Sequence, residues 1–153
     1  GAPLLAVVAS IGSNRVYAAE AGKGAWLDNS QLHLAGSKPM PLIALSTGLL
    51  DTIDETDAYR RVRSVGKLRN LGSQALQLCA VAQGSLALNA SIESRLWDDA
   101  AGRLIATEAG AHYRAYVAGT SDANRPTAAQ RSLCAHPEVS SEMEAVLRPF
   151  LEY

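Results

Sequence analysis

The chain has 153 residues and a mass of 16.1 kDa, the size of one domain or a piece of a larger one; 48% hydrophobic against 19% charged residues exclude a disordered tail or low-complexity linker. Fourteen Lys and Arg against fifteen Asp and Glu leave a net charge of -1 and a pI near 6.3, so no bulk basic field exists to attract nucleic acid or an anionic membrane. Two cysteines, Cys79 and Cys134, show neither CxxC spacing nor a dense framework, which suits free thiols in a reducing compartment, and the cytoplasm is the expected location.

The opening GAPLLAVVASIG is apolar, yet it lacks a basic leading segment and is shorter than the ~20 residues that cross a bilayer. It reads as a buried strand. Because it starts within an apolar run, with no turn or cap ahead of it, the chain is expected to begin inside a domain. Between Leu4 and Ala35 the runs LLAVVAS, RVYAAEAG, AWL and QLHLA are separated by Gly, Ser and Asn turns, the pattern of antiparallel hairpins. GSKPMP at 36–41 interrupts it, and LIALST at 42–47 resumes as a continuous apolar strand of the kind buried on both faces.

From there strand and helix alternate. Residues 53–64 are acidic first and basic last, as a helix dipole favours. VGKLRN follows as a short strand, SQALQLCAVAQG as a helix opened by Gly72 and Ser73, and LALNAS at 86–91 as an apolar strand. WDDAAGRLIATEAG at 97–110 is a helix with aspartates at its start. GTSDANRPTAAQ at 119–130 reads as a polar loop, RSLCAH at 131–136 as a last strand, and 137–153 as a terminal helix with Pro137 in its first turn. Alternation of this kind predicts an α/β fold, a mostly parallel sheet covered by helices, with ligands at strand ends and helix starts.

Asp98 and Asp99 fall at such a start. A carboxylate there caps the helix, or ligates a divalent cation while the helix start faces an anion. Mg²⁺ keeps several waters and is held by one or two carboxylates plus substrate oxygens, so Asp98 needs help. Glu93, Glu108, Asp51, Asp54 and Asp57 do not obviously converge on it and read as solvated surface. His33, His112 and His136 have no metal-ligand spacing, and neither a P-loop nor a GxSxG elbow is present. Cys79 and Cys134 read as packed thiols, and Trp97 as a core residue. Gly72 and Ser73 repeat the choice between cap and ligand contact, whereas GKGAW at 22–26 is a turn before it is a phosphate cradle.

Three blocks in order carry a resemblance. LWDDAAGRLIATEAGA at 96–111 resembles the C-terminal signature of the inositol monophosphatase family, W-D-x-A-A-G followed by an apolar stretch and E-A-G-G. RNLGSQALQLCAVAQGSLAL at 69–88 is similar to its G-[ST]-x-A-L helix, and RVYAAEAGKGAWLDN at 15–29 to its hairpin ending G-x-G-A-[FW]-L-N-G. The blocks cover most of residues 3–112.

By that resemblance the chain corresponds to the later half of the inositol monophosphatase-like sugar phosphatase fold, with 1–35 as hairpins and 42–153 as the alternating part of a single partial domain. The family hydrolyses small phosphate monoesters with Mg²⁺. Asp98 takes the place of its W-D metal ligand, Asp99 a variable position, and Gly72 and Ser73 the substrate crevice. Nothing here matches the family's D-P-[IL]-D-G-T carboxylates, and Ser91 stands where inositol-preferring members carry a glutamate. The resemblance therefore implies a small phosphorylated metabolite as ligand, with a missing first half or a second copy as partner. An inactive relative acting as a binding module is the alternative.

Overall fold

A computed structural model describes residues 3–116 and 129–152. The hairpin region forms a four-stranded antiparallel meander, β1 (Leu5–Ser10), β2 (Arg15–Glu20), β3 (Gly24–Leu27) and β4 (Ser30–Leu32), in sequence order. Its strands alternate, as a sheet with one face in the core must. Ala6, Tyr17, Ala19, Ala25, Leu27 and Leu32 point inward and are buried, while Leu5 and Val7 on the outer face of β1 stay 71% and 65% exposed. The β2–β3 turn is pinned from outside: the Glu108 carboxylate accepts from the N–H groups of Gly22 and Gly24 at 2.8 and 2.9 Å. Those donors are thereby occupied, and the turn is no phosphate cradle. Glu108, expected in solvent, is a clasp.

Inside the meander lie α3 (Gln74–Ala82) and α4 (Leu96–Glu108), and beneath them a second sheet of β5 (Leu42–Leu45), β6 (Lys67–Leu68), β7 (Leu88–Ser94), β8 (His112–Tyr116) and β9 (Gln130–Ala135). Its far face is covered by α1 (Thr47–Ile53), α2 (Asp57–Val65) and α5 (Pro137–Leu151). Strand residues sort by parity: Ala44 and Cys134 join the core with α3 and α4, whereas Ile43, Leu45, Leu88, Leu133 and Ala135 join that of the outer helices. With both faces covered, LIAL must be apolar throughout.

The sheet order is β6-β5-β7-β9-β8. β5 pairs in parallel with β6 and β7, and β9 antiparallel with β7 and β8, so four of the five strands run one way. Only β9 opposes them, slotted between β7 and β8. Alternating helices and strands could not reveal that return, and β8 itself falls between the helix read at 97–110 and the loop read at 119–130, where no element was expected. The polar segment 119–130 lies almost wholly outside the described residues.

Two further expectations change. The segment 53–64 is not one helix: LIALST ends as a strand at Leu45, α1 begins at Thr47, and a break at Asp54–Thr56, with Glu55 at φ 61°, separates it from α2. The dipole pattern belongs to α2, with Asp57 in its first turn and Arg63 in its last. Trp97 is 61% exposed and serves no core. Cys79 and Cys134 are buried free thiols, and burial pushes Cys79 up to about 12. No helix among the described residues is long and apolar enough to cross a membrane.

Two predictions follow from this packing. A Cβ added at Gly102 would lie 2.8 Å from Leu78 Cβ and Cδ1 and 3.2 Å from the Ala75 carbonyl, so Gly102 is where α4 meets α3. Gly102→Ala should lower stability in denaturant titration by about 1–3 kcal/mol through overpacking, although alanine is the better helix former. His136, buried at the start of α5, accepts from Glu138 N–H through Nδ1 (3.2 Å), and its Nε2 lies 3.0 Å from Ser37 Oγ, whose hydroxyl donates to the Leu34 carbonyl. Burial holds its pKa below the ordinary 6.5, so the unfolded chain takes up a proton that the folded one refuses. Stability contributed by the neutral ring is complete above pH 6.5 and declines as pH falls below it. The thermal midpoint should drop between about pH 7.5 and about pH 5.5 by more than it does in His136→Asn, which keeps a capping acceptor that does not titrate.

Candidate functional site

At the C-terminal ends of β5 and β7 the second sheet opens into a crevice of about 260 Å³. Its lining comes from four places: Leu45 to Thr47 after β5, the turn holding Asn70, Gly72 and Ser73, Gln74 and Gln77 of α3, and Ser91, Glu93 and Ser94 of β7. This is where an open α/β sheet binds its ligand, because strands end and helices begin there.

The turn is built to stay open. Gly72 adopts φ +73°, a left-handed conformation that costs other residues, and a Cβ built on it would meet nothing within 4 Å. Ser73 is the N-cap of α3, its hydroxyl accepting from Leu76 N–H at 3.4 Å. The hydroxyl keeps its own proton to donate, so capping and ligand contact coexist in one side chain. Asn70 holds the turn to the sheet: its side chain accepts from Leu45 N–H (3.1 Å) and donates to the Leu45 carbonyl (2.8 Å), continuing the ladder where β6 stops.

β7 changes register between Ser91 and Ser94. Within this bulge the Ser91 hydroxyl accepts from the N–H groups of Glu93 and Ser94, so its lone pairs go to its own backbone. Glu93 is re-aimed into the crevice lining, with Oε1 3.4 Å from Gly48 N–H. It is exposed, as expected, and among the described residues it is the carboxylate that lines the crevice. The strand's sequence does not announce the bulge.

At the head of α4, Asp98 is half-buried, and its Oδ2 accepts from Arg95 N–H at 3.0 Å, capping the helix from its third position. It is not among the residues that line the crevice. Among the described residues no group of three or more His, Cys, Asp or Glu side chains is placed to hold a metal ion. Asp51, Asp54 and Asp57 lie on α1, its end and α2 and do not enter the crevice. The residue that sequence reasoning passed over is Asp99. It is 3% exposed and accepts from Gln74 Nε2 (2.8 Å), Ser132 Oγ (3.2 Å) and the Tyr113 hydroxyl. Burial, then the charge of Asp99, raises the Tyr113 pKa and keeps that phenol a donor. A second aspartate after tryptophan, where an apolar residue would fill a core, was the available signal.

Comparison with known proteins gives a family for the whole chain. The inositol monophosphatase family model matches residues 1–151. The inositol-1-monophosphatase of Mycobacterium leprae (strain TN) is 32% identical over 120 residues, 72% of this chain and 41% of the relative. The 3'(2'),5'-bisphosphate nucleotidase CysQ of Escherichia coli (strain K12) is 32% identical over 117 residues, 73% of this chain and 46% of that protein. Among solved structures, Mycobacterium tuberculosis SuhB superposes with a TM-score of 0.77 at 28% identity, covering 100% of this chain and 62% of that one. The chain thus spans less than half the length of these curated relatives. The chain belongs to the inositol monophosphatase family.

Proposed function

We propose that this chain forms the substrate-binding crevice of a Mg²⁺-dependent phosphatase acting on a small phosphate monoester, and contributes Asp98 as one metal ligand. The observation that carries this reading is the 2.8 Å hydrogen bond from Gln74 to Asp99, which ties the head of α4, where Asp98 stands, to the crevice wall. Ser73 and the first N–H groups of α3 supply donors for a phosphate, and Gly72 leaves their approach clear. Glu93 suits the hydroxyls of the esterified alcohol. Relatives named for inositol-1-phosphate and for bisphosphate nucleotides share that ligand class.

Asp98 alone does not make a magnesium site. Such a site takes several oxygen ligands, and one oxygen of Asp98 is engaged by Arg95. Further carboxylates would come from the part of the relatives' length that this chain does not span. The exposed outer face of β1, an edge strand without charge from Leu5 to Ser10, fits a covering partner, either that remaining part or a second copy.

The test joins the chain to the missing portion of a relative. The joined protein should release phosphate in Mg²⁺, and Asp98→Asn should abolish release; activity surviving that substitution removes Asp98 from the mechanism. Phosphate binding with no release in any form would make the chain a binding module. Calorimetry with inorganic phosphate should show weaker binding by Gly72→Ala, whose left-handed turn costs alanine about 1–2 kcal/mol.

A further inference from the structure

Between α3 and the second sheet the polar side chains form one continuous line of hydrogen bonds. The Leu71 backbone N–H donates to Gln77 Oε1 at 2.9 Å, and Gln77 Nε2 donates to Asn89 Oδ1 at 2.8 Å. Asn89 Nδ2 then donates to Gln74 Oε1 at 3.1 Å, and Gln74 Nε2 to Asp99 Oδ1 at 2.8 Å. Gln77, Asn89 and Asp99 are buried, whereas Gln74 is half-buried and Leu71 exposed, so water is kept from the middle of the line rather than from its ends.

Each of the three amides accepts once and donates once, all in the same sense. The two ends impose that sense, because a backbone N–H only donates and a carboxylate only accepts. Reversing the amides would set an NH₂ against Leu71 N–H and a carbonyl against Asp99. In a buried line each bond also polarises the next, so the carboxylate acts beyond its own contact. The far end of the line is Leu71, directly before Gly72 and Ser73.

We propose that Asp99 is a positioning residue for the crevice: its carboxylate fixes the direction of the amide line and so holds the turn at Leu71, Gly72 and Ser73. This deepens, and rests on, the reading of that turn as the phosphate-binding element. Sequence gives the idea no support beyond the acid itself, since W-D-x-A-A-G leaves this position open.

The test compares amide hydrogen exchange at Leu71 with exchange at Val81, which reports the stability of α3 as a whole. In Asp99→Asn the terminal group can donate, so the reversed line, which turns the Gln77 carbonyl away from Leu71 N–H, is opposed at the Leu71 end alone, and Leu71 should exchange roughly 5–10-fold faster relative to Val81, the loss of about one net hydrogen bond. Adding Gln74→Glu moves the acceptor-only end one link inward, accepting from both Asn89 and the new amide. The double variant should restore the ratio of the unmodified chain. Ser132→Ala removes a donor to Asp99 that lies outside the line, and should lower stability without changing the ratio.

An unchanged ratio in Asp99→Asn overturns the proposal, as does a double variant no tighter than the single one. If Asp99→Asn does not fold, the double variant decides: recovery of the fold with the native ratio supports the proposal, and failure to fold overturns it. Titration of the unmodified chain with inorganic phosphate is a separate arm. Absence of binding there counts against the crevice reading, whereas the Leu71 ratio alone decides the amide line.

Discussion

At Gly102 the backbone of α4 approaches α3 so closely that one added methyl group would overlap Leu78. This approach fixes the distance between the two helices, and with it the distance between their first turns. The start of α3 carries the Gly72–Ser73 turn; the start of α4 carries Asp98 and Asp99. Close packing brings the pair within reach of a single glutamine side chain, and the Gln74–Asp99 bond locks them together. The crevice lies where the starts of α1 and α3 meet the ends of β5 and β7, and the glycine of the D-D-A-A-G run brings the start of α4 close beside it.

The acidic residues around this frame have separated into distinct tasks. Asp98 satisfies the head of its helix, Asp99 accepts three donors in the core, Glu93 faces the crevice, and Glu108 clasps the first hairpin. A carboxylate buried without partners would be costly. Asp99 avoids that cost because α3, β8 and β9 each contribute a donor, from Gln74, Tyr113 and Ser132, and Arg103 lies over the Tyr113 ring, 5.6 Å from its centroid. The polar groups inside this layer are a satisfied network, which favours one arrangement of side chains over many.

The places where sequence and structure part company have a common character. The α1–α2 break, the β7 bulge and the entry of β9 between β7 and β8 are decided by contacts between segments far apart in the chain. Within 53–64 the charge order was legible because a helix dipole acts over one turn, whereas the break at Glu55 depends on how α1 and α2 each lie on the sheet. Trp97 looked like core because a large aromatic beside an apolar run usually is, yet the first turn of α4 carries Asp99 into the core and leaves Trp97 in solvent. Glu93 looked like surface and is exposed, yet the bulge at the end of β7 sets it on the rim of the crevice.

By itself the amino-acid sequence determined what depends on short-range pattern: the hairpins of the first 35 residues, the doubly buried strand at 42–45, the cap at Ser73, the helix start at Pro137, and the glycine–serine and tryptophan–aspartate motifs that carry the family resemblance. Those features follow from backbone sterics, side-chain period and local hydrogen bonding, each acting over a few residues. Tertiary structure alone decided which acid lines the crevice, which serine accepts from its own backbone, and that Leu71 and Asp99 are joined through three amides. Hydrogen bonds between distant elements require positions accurate to a few tenths of an ångström, and that accuracy comes only from the packed layers.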